Sequence, residues 1–355
     1  MPQGPAPTVI ARGGAAPLAN GTRTPRAERD PGRPHDDNST LACVLTRDDV
    51  MAAAAAITGR VHRTPTLTSA SLAREVGVPV YLKAELFQRT GSFKPRGVLN
   101  KLASLSSEEK ARGVIGISAG NHAQALAYAS ALEGVDALVV MWQGASEQKL
   151  EATRGYGAAV DLRASDPAQA FDRLHELMDE TGRTLVHPFD DPLVIAGQGT
   201  VGLEIAEDAP EADVVVVPVG GGGLVSGIVT AVDARVVAVE PEGSAALHEA
   251  LAKGETVDVT PQSIADGLNA PFAGANAVAI CAGRVESVLV SEAEIEAGFR
   301  FLYGRAKLAC EPAGAAGVAA LLAGKVPLDG AKGIAVVVSG GNVAAETAVA
   351  ILAGL

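Results

Sequence analysis

The chain has 355 residues, of which 48% are hydrophobic and 40 are glycine, and its formal net charge at pH 7 is −12. This length suits one large or two medium domains, and the glycine content fits a buried parallel sheet with many tight loops. The acidic balance and the lack of a bilayer-length apolar run disfavour nucleic acid and membranes as partners.

Residues 1–40 are rich in Pro, Gly and Arg and lack the apolar segment of a signal peptide. We predict a disordered tail there, with a transit peptide as a less favoured alternative. Cys43, Cys281 and Cys310 are odd in number and widely spaced, without metal-ligand spacing. This pattern predicts reduced thiols in a cytoplasmic protein.

From Thr46 onward, helical patterns alternate with short apolar strands. Strands are predicted at 80–84, 114–117, 137–141, 159–162, 184–186, 214–219, 236–240 and 334–338. Helices are predicted at 47–58, 69–76, 93–105, 122–132, 146–156, 167–180, 199–206, 224–232, 292–303 and 314–323. Repeated βαβ units predict an α/β fold with open twisted parallel sheets, whose ligands bind beyond the carboxyl ends of the strands.

Lys94 follows the first predicted strand and a turn whose last residue, Ser92, can cap a helix. This lysine would be the second helical residue, where the helix dipole and burial both lower the pKa of its amine. An amine that loses its proton near neutral pH can attack a carbonyl to form a Schiff base. Taken alone, a surface lysine whose stem packs on the strand remains an open alternative.

Four consecutive glycines, Gly220, Gly221, Gly222 and Gly223, follow the predicted 214–219 strand and precede a helix. Their backbone N–H groups can converge on an anion at the helix N-terminus. The run lacks the GxGxxG pattern of dinucleotide sites and the Lys-Ser/Thr ending of a nucleoside-triphosphate loop. It therefore indicates a monophosphate site, with a flexible glycine turn as the alternative.

Two polar turns also follow strands. In the first, Ser118 can cap a helix, while backbone N–H groups and the Asn121 amide can bind a carboxylate; His122 alone is better explained as structural. The second contains Ser339. A Schiff-base lysine, a phosphate cradle and two polar turns, expected on the same sheet edge, together suggest pyridoxal phosphate.

These motifs resemble those of the fold-type II pyridoxal phosphate enzymes, in the branch of serine/threonine dehydratases (ammonia-lyases) and serine racemases. The resemblance extends from about Thr46 to Leu355 and rests on residues 92–97, 118–124, 219–224, 311–315 and 339–342. It implies a tryptophan synthase β-like fold with two parallel-sheet domains and the active site between them. The large domain would comprise 41–106 and 187–355, and the small domain 107–186.

The resemblance also implies a role for individual residues. Lys94 would hold the cofactor covalently and act as the base at the substrate Cα, and Ser339 would bind the pyridine nitrogen. Asn121 would bind the ring hydroxyl. Further cofactor contacts would come from Phe93, Gly220, Gly221, Gly222, Gly223, Leu224 and Glu311. Substrate contacts would come from Ser118, Ala119, Gly120, Asn121, His122 and Gly267, with Asp266, Leu268, Asn269 and Phe189 as further pocket residues.

Departures from the family pattern refine this interpretation. Racemases of the branch carry a serine where this chain has Ala119, which favours dehydration over racemisation. Metal-binding relatives pair a glutamate, here Glu240, with a carboxylate where this chain has Ala246, so a divalent or monovalent cation stays an open question. Trp142 stands where many relatives have proline. We also expect no C-terminal regulatory domain, because only one helix is predicted after residues 339–342.

The leading hypothesis is pyridoxal phosphate-dependent β-elimination that converts L-threonine or L-serine to a 2-oxo acid and ammonia. The alternatives are an amino-acid racemase and a specialised dehydratase of another β-hydroxy amino acid such as 3-hydroxyaspartate. Two further alternatives, a β-replacement enzyme and an inactive cofactor binder, are disfavoured by the asparagine loop and by the retained Lys94, respectively. The family leads us to expect a homo-oligomer, most simply a dimer.

Overall fold

Two sheets organise the chain in the computed structural model, which describes residues 45–145 and 147–354. The strands are β1 (Thr66–Thr68), β2 (Val80–Ala84), β3 (Val114–Ile117), β4 (Ala137–Trp142), β5 (Ala159–Ala164), β6 (Thr184–Leu185), β7 (Val214–Pro218), β8 (Arg235–Pro241), β9 (Val285–Val290) and β10 (Ile334–Val338). Six of them form one sheet in the order β1-β2-β10-β7-β8-β9, and the other four form a second sheet in the order β5-β4-β3-β6. Only the β1–β2 pair is antiparallel among these described strands.

Helices cover both sheets, so that β7 and β10 are buried at every position, as their all-apolar sequences predict. The helices are α1 (Arg47–Ile57), α2 (Ala70–Val76), α3 (Lys94–Ala103), α4 (Ser107–Arg112), α5 (Asn121–Glu133), α6 (Glu147–Gly155), α7 (Pro167–Thr181), α8 (Pro192–Asp208), α9 (Gly223–Ala231), α10 (Ala246–Lys253), α11 (Ala275–Cys281), α12 (Glu292–Phe301), α13 (Pro312–Leu322) and α14 (Ala345–Ala353). Short 3₁₀ turns occupy Glu85–Phe87, Arg89–Gly91 and Asp266–Leu268, and a π-helical turn, Leu302–Ala306, follows α12. The α/β class and the parallel sheets predicted from the sequence are confirmed.

Helix α8 begins seven residues before its predicted start. The Asp191 carboxylate caps it by accepting hydrogen bonds from the N–H groups of Leu193 and Val194, at 2.8 and 3.3 Å. Pro192 takes the first helical position, where no N–H partner is needed. The helix predicted at 199–206 is therefore the C-terminal part of a longer helix.

Two predicted serine caps are wrong. Ser92 instead forms an isolated bridge with Gly340, and α3 begins at Lys94 without a side-chain cap. Lys94 is therefore the first helical residue. The Ser118 hydroxyl accepts a hydrogen bond from the Gly120 N–H at 3.1 Å, so it stabilises the turn that precedes α5. Both serines are held by the loops around them, which explains why local capping rules misplaced them.

A buried charge network ties α3 to its neighbours. The guanidinium of Arg96, only 1% exposed, donates two hydrogen bonds to the fully buried Glu85 carboxylate, at 2.8 and 2.9 Å. It also donates to Glu204 on α8 at 2.7 Å, and Lys83 of β2 lies 2.7 Å from the same carboxylate. Because buried charges are tolerated only when they are paired, this network fixes α3, which carries Lys94, against β2 and α8.

All described residues belong to one compact unit. The four-stranded sheet lies within the segment predicted as the small domain, and the boundaries at 107 and 186 stay a prediction. None of the described helices is both long and apolar enough to cross a membrane. The predicted disordered tail and Cys43 lie outside the described residues, whereas Cys281 and Cys310 are free and buried.

Candidate active site

A cavity of about 580 Å³ lies beyond the carboxyl ends of strands from both sheets. Strands β2, β10 and β7 of the six-stranded sheet lead into the segments that carry Lys94, Ser339 and the glycine run. Strand β3 of the four-stranded sheet leads into the turn that carries Asn121. The expectation that both polar turns share one sheet edge is therefore wrong, because they come from different sheets and meet across the cavity.

Lys94 places its amine in this cavity. Its Nζ donates a hydrogen bond to the Pro188 carbonyl oxygen at 2.7 Å and lies 5.2 Å from the centre of the Phe93 ring. Burial lowers the pKa of the Lys94 amine to about 8, against the smaller opposing effect of the Glu311 carboxylate. About a tenth of this amine is therefore uncharged at pH 7, far more than for an ordinary lysine, and the uncharged amine is the state that attacks an aldehyde.

The glycine run forms a tight wall of the cavity. A Cβ on Gly221 would collide with the Phe189 ring, and one on Gly222 would lie 2.5 Å from the Ala277 Cβ. Gly222 also has a positive φ of 90°. Only glycine fits these positions, and α9 begins within the run at Gly223, so its unpaired N–H groups border the cavity. The geometry is that of an anion site at a helix N-terminus.

The Ser118–His122 turn forms the wall on the side of the four-stranded sheet. Ser118, Ala119, Gly120 and Asn121 line the cavity and are half-buried. The His122 Nε2–H donates to the Val186 carbonyl oxygen at 2.9 Å, and burial lowers the pKa of this imidazole to about 3. His122 is thus held neutral and fixed in place, and its proposed contact with substrate stays a prediction.

Asn121 belongs to a hydrogen-bond chain that joins the two sides of the cavity. Its Nδ2 donates to Glu311 Oε1 at 2.7 Å, and its Oδ1 accepts from Asn342 Nδ2 at 2.8 Å. Asn342 also donates to the Thr90 carbonyl oxygen at 2.7 Å. Burial, followed by the charge of Asp266, raises the pKa of Glu311 to about 7. This carboxyl group can therefore hold or release a proton near neutral pH.

The remaining predicted residues also gather here. Ser339 is buried. It lines the cavity together with Phe93, Gly220 and Leu224. A Cβ placed on Gly267 would lie 3.5 Å from Glu311 Oε1 and 4.0 Å from Asn121 Nδ2. The structure thus brings every predicted cofactor and substrate residue to one cavity, while their individual roles stay predictions.

Glu240, the candidate metal ligand, is buried at the end of β8 outside this cavity's lining. Its two carboxylate oxygens accept hydrogen bonds from the N–H groups of Leu247 and His248, at 2.8 and 2.7 Å. It therefore serves the N-terminus of α10, to which Ala246 contributes no carboxylate. Within residues 45–145 and 147–354, no group of three or more His, Cys, Asp or Glu residues could hold a metal ion.

Several lining residues were missed by the sequence analysis. Lys149 and Phe171 line the cavity from α6 and α7, and Gln198 lines it from α8. Trp142, whose role the sequence left open, lines it at the end of β4. Gln198 carried a usable signal, since it is a polar residue inside the apolar run of α8. Lys149 and Phe171 carried none, because both fit ordinary amphipathic helices.

The residues present fit pyridoxal phosphate. The collisions that any Cβ would make at the glycine run leave backbone N–H groups facing the cavity, which suits the phosphate. Lys94 supplies an amine of lowered pKa for the aldehyde, and Ser339 supplies a neutral hydroxyl on the same cavity. Together these groups suit the phosphate, the aldehyde and the pyridine nitrogen of the cofactor.

Comparisons with known proteins agree with this geometry. The family model described as "Pyridoxal-phosphate dependent enzyme" matches residues 57–340. The L-threonine ammonia-lyase of Thermotoga maritima is 42% identical over 308 residues, which cover 84% of this chain and 76% of that protein. The catabolic L-threonine dehydratase TdcB of Staphylococcus aureus is 42% identical over 313 residues, covering 85% of this chain and 90% of the relative.

Solved structures show the same fold. The maize serine racemase structure has a TM-score of 0.83 at 35% sequence identity and covers 86% of this chain and 95% of its own. A threonine deaminase structure, its source abbreviated T.th., has a TM-score of 0.78 at 39% identity and covers 84% of this chain and 99% of its own. The chain therefore belongs to the pyridoxal-phosphate dependent enzyme family, in its fold-type II architecture, with pyridoxal phosphate as its cofactor.

Proposed function

We propose that this protein is an ammonia-lyase that converts L-threonine or L-serine to a 2-oxo acid and ammonia. The observation that carries the proposal is the composition of one cavity, in which Lys94, Ser339 and the glycine run lie together and Ala119 occupies the turn opposite. The similarity to L-threonine ammonia-lyase over 84% of the chain supports the same reaction.

The reaction needs a proton removed from the substrate Cα and a hydroxyl group lost from Cβ. When bound, the cofactor withdraws the electrons of the Cα–H bond. Lys94 takes the Cα proton with its amine, whose pKa of about 8 is close to working pH. The Cβ–O bond then breaks and the hydroxyl leaves as water, its extra proton balancing the one taken from Cα. The enamine product then consumes one water to give the 2-oxo acid and ammonia.

The other residues orient the reactants. Ser339 would be a neutral partner for the pyridine nitrogen of the cofactor, which favours loss of the β-hydroxyl over transamination. The N–H groups and hydroxyl of the Ser118–His122 turn bind the substrate carboxylate, and the chain from Asn121 to Glu311 holds that turn against the opposite wall. Glu311, with a pKa near 7, can exchange a proton beside Asn121.

Racemisation is the second candidate, since solved serine racemases share this fold at 35% and 36% identity. A racemase needs a second base on the opposite face of the substrate, and Ala119 has no group that can carry a proton there. We therefore expect Ala119→Ser to introduce measurable exchange between L- and D-serine, which the natural chain lacks.

The test is a substrate panel assayed for both 2-oxo acid and ammonia. Purified holoenzyme should be assayed with L-threonine, L-serine, their D-enantiomers and 3-hydroxyaspartate. Lys94→Ala should be the inactive control. Equal amounts of 2-oxo acid and ammonia from L-threonine or L-serine are expected. Production of D-amino acid without ammonia would instead establish a racemase, and a response confined to 3-hydroxyaspartate would establish the specialised dehydratase.

We also propose that the enzyme works in the cytoplasm as a homodimer. Both described cysteines, Cys281 and Cys310, are buried free thiols, and burial raises the pKa of Cys281 to about 11. Such thiols need no oxidising compartment. The dimer follows from the family resemblance, and sedimentation of the purified holoenzyme at several concentrations tests it.

A further inference from the structure

Gln198 is a buried amide that the hypotheses above leave unused. Its side chain is 1% exposed, yet within the described part of the chain neither its Oε1 nor its Nε2 has a hydrogen-bond partner. Buried polar groups are nearly always paired, because an unpaired one loses its bonds to water without compensation. An amide with both atoms unpaired therefore indicates a partner that the polypeptide itself does not supply.

The amide lies at the glycine run. A Cβ placed on Gly223 would be 2.7 Å from Gln198 Oε1, and both residues line the cavity. Gly223 is the first residue of α9, so the side chain ends where the unpaired N–H groups of that helix begin. A half-turn of the terminal amide exchanges its oxygen and nitrogen without moving the rest of the side chain. The NH₂ group can therefore face the same point.

Neighbouring helices hold Gln198 in this place. On the other side of the side chain, a Cβ on Gly97 of α3 would lie 3.1 Å from the Gln198 Cγ. The adjacent Gly197 packs so closely on α3 that its Cβ would collide with the Arg96 carbonyl oxygen. The amide is thus wedged between the helix that carries Lys94 and the N-terminus of α9, where it has little freedom to turn elsewhere.

The charges around the cavity favour an anionic partner for the amide NH₂. The basic residues among the described lining side chains are Lys94, His122 and Lys149. Lys94 is assigned to the aldehyde, His122 has a pKa of about 3, and Lys149 is paired with Asp266. Neutral donors must therefore bind any phosphate at the glycine run, and Gln198 is a side-chain amide at that position.

We propose that Gln198 donates an amide N–H to a phosphate oxygen of the bound cofactor, adding a side-chain donor to the backbone cradle of α9. This inference rests on the proposed use of pyridoxal phosphate. It assigns Gln198 as a positioning residue, because it fixes the phosphate end and thereby the distance from the aldehyde to Lys94.

Pyridoxal, which lacks the phosphate, separates this role from a general structural one. The dissociation constants of pyridoxal phosphate and of pyridoxal should be measured by equilibrium dialysis with the apo forms of the natural protein and of Gln198→Leu. We expect Gln198→Leu to weaken pyridoxal phosphate binding by about tenfold or more, the effect of losing a hydrogen bond to a charged group, and to leave pyridoxal binding unchanged. Gln198→Glu should weaken phosphate binding further through charge repulsion.

Stability of the apo protein provides the second readout, with Asn100→Leu as the matched control. Asn100 is a buried amide on α3 that does have a partner, the Leu193 carbonyl oxygen at 2.7 Å, and it does not line this cavity. Apo Gln198→Leu should keep or raise the melting temperature, whereas Asn100→Leu should lower it and leave the ratio of the two dissociation constants unchanged.

Equal weakening of both ligands, or a lower melting temperature of apo Gln198→Leu, would overturn the assignment. So would phosphate binding in this variant as tight as in the natural protein. If the natural protein itself failed to bind pyridoxal phosphate, the proposed function would fall as well, so the two failures are distinguishable.

Discussion

Lys149 of α6 donates a hydrogen bond to the Asp266 carboxylate across the cavity. Lys149 lies on α6, the helix that connects β4 to β5 of the four-stranded sheet. Asp266 lies in the 3₁₀ turn Asp266–Leu268, on the side of the six-stranded sheet. Both residues line the cavity, and their side chains are 19% and 54% exposed. The ion pair therefore links the two walls while remaining in contact with solvent.

The two members of this pair should shift the pKa of Glu311 in opposite directions. Burial is the main cause of the raised Glu311 pKa, the Asp266 charge raises it further, and the Lys149 charge lowers it. We expect Asp266→Asn to lower the pKa of Glu311 and Lys149→Met to raise it. In the pH profile of kcat/KM, the limb that reports Glu311 should move to lower pH in Asp266→Asn and to higher pH in Lys149→Met. Both shifts should be smaller at high salt, because salt screens exposed charges.

Lys110→Met is a matched control, since Lys110 pairs with Glu133 on the surface and lies outside the cavity lining. Its profile should coincide with that of the natural protein. Shifts of equal sign in the two cavity variants would show that the profile does not report Glu311.

Lys94 should control capture of the cofactor in a pH-dependent way. Its pKa of about 8 means that the uncharged amine becomes the main form as the pH rises through 8. When pyridoxal phosphate is added to apo protein, the rate of visible absorbance change should rise with pH and level off above about 8. Lys94→Ala should abolish the covalent signal, while Lys101→Ala, which loses a pair with Asp191 outside the cavity lining, should retain it. A rate that kept rising toward the ordinary lysine pKa of 10.5 would contradict the lowered pKa.

The local features of the fold could be predicted from the sequence. Strands β7 and β10 are uninterrupted apolar runs, and the glycine run between β7 and α9 leaves few structural choices. Lys94 was identified because a lysine at a helix start after a buried strand is chemically unusual. These signals are all contained within a few consecutive residues.

What the sequence could not provide depends on contacts between distant segments. The turns that carry Asn121 and Ser339 belong to different sheets, and strand pairing between segments far apart in the chain has no local signal. Ser92 looked like a helix cap because its bridge partner, Gly340, lies near the other end of the chain. Gln198 stands out as a polar residue in an apolar run, but its position at the glycine run could not be predicted because that run lies beyond the next strand.

The network around Arg96 should be a major source of stability for the helix that carries Lys94. Arg96→Leu leaves Glu85 buried without its charge partner and deprives Glu204 of one, so we expect a loss of about 3–5 kcal/mol in the free energy of unfolding. Glu85→Gln in the same chain should recover part of this loss, because it removes the uncompensated charge. Urea denaturation of the apo protein measures both.

Arg47→Ala is the control for Arg96. Arg47 pairs with Asp233 at the surface, where the two side chains are 50% and 98% exposed, so its removal should cost no more than about 1 kcal/mol. If Arg96→Leu were equally mild, the buried pair would contribute little net stability.

Glu240 should make the stability of the natural protein decline as the pH rises. Burial raises the pKa of its carboxyl group from 4.5 to about 8, although the N–H groups of Leu247 and His248 partly oppose the shift. A group whose pKa is higher in the folded state stabilises the fold when it is protonated. That contribution is complete below the unfolded pKa of 4.5 and is lost as the pH rises through 8.

Glu240→Gln cannot ionise, so its stability relative to the natural protein should increase steadily between about pH 5 and pH 8 in urea unfolding. Glu255→Gln, which changes an exposed acid just beyond α10, should show no such trend. A difference between Glu240→Gln and the natural protein that stays constant with pH would mean that Glu240 remains ionised and acts only as an acceptor for α10.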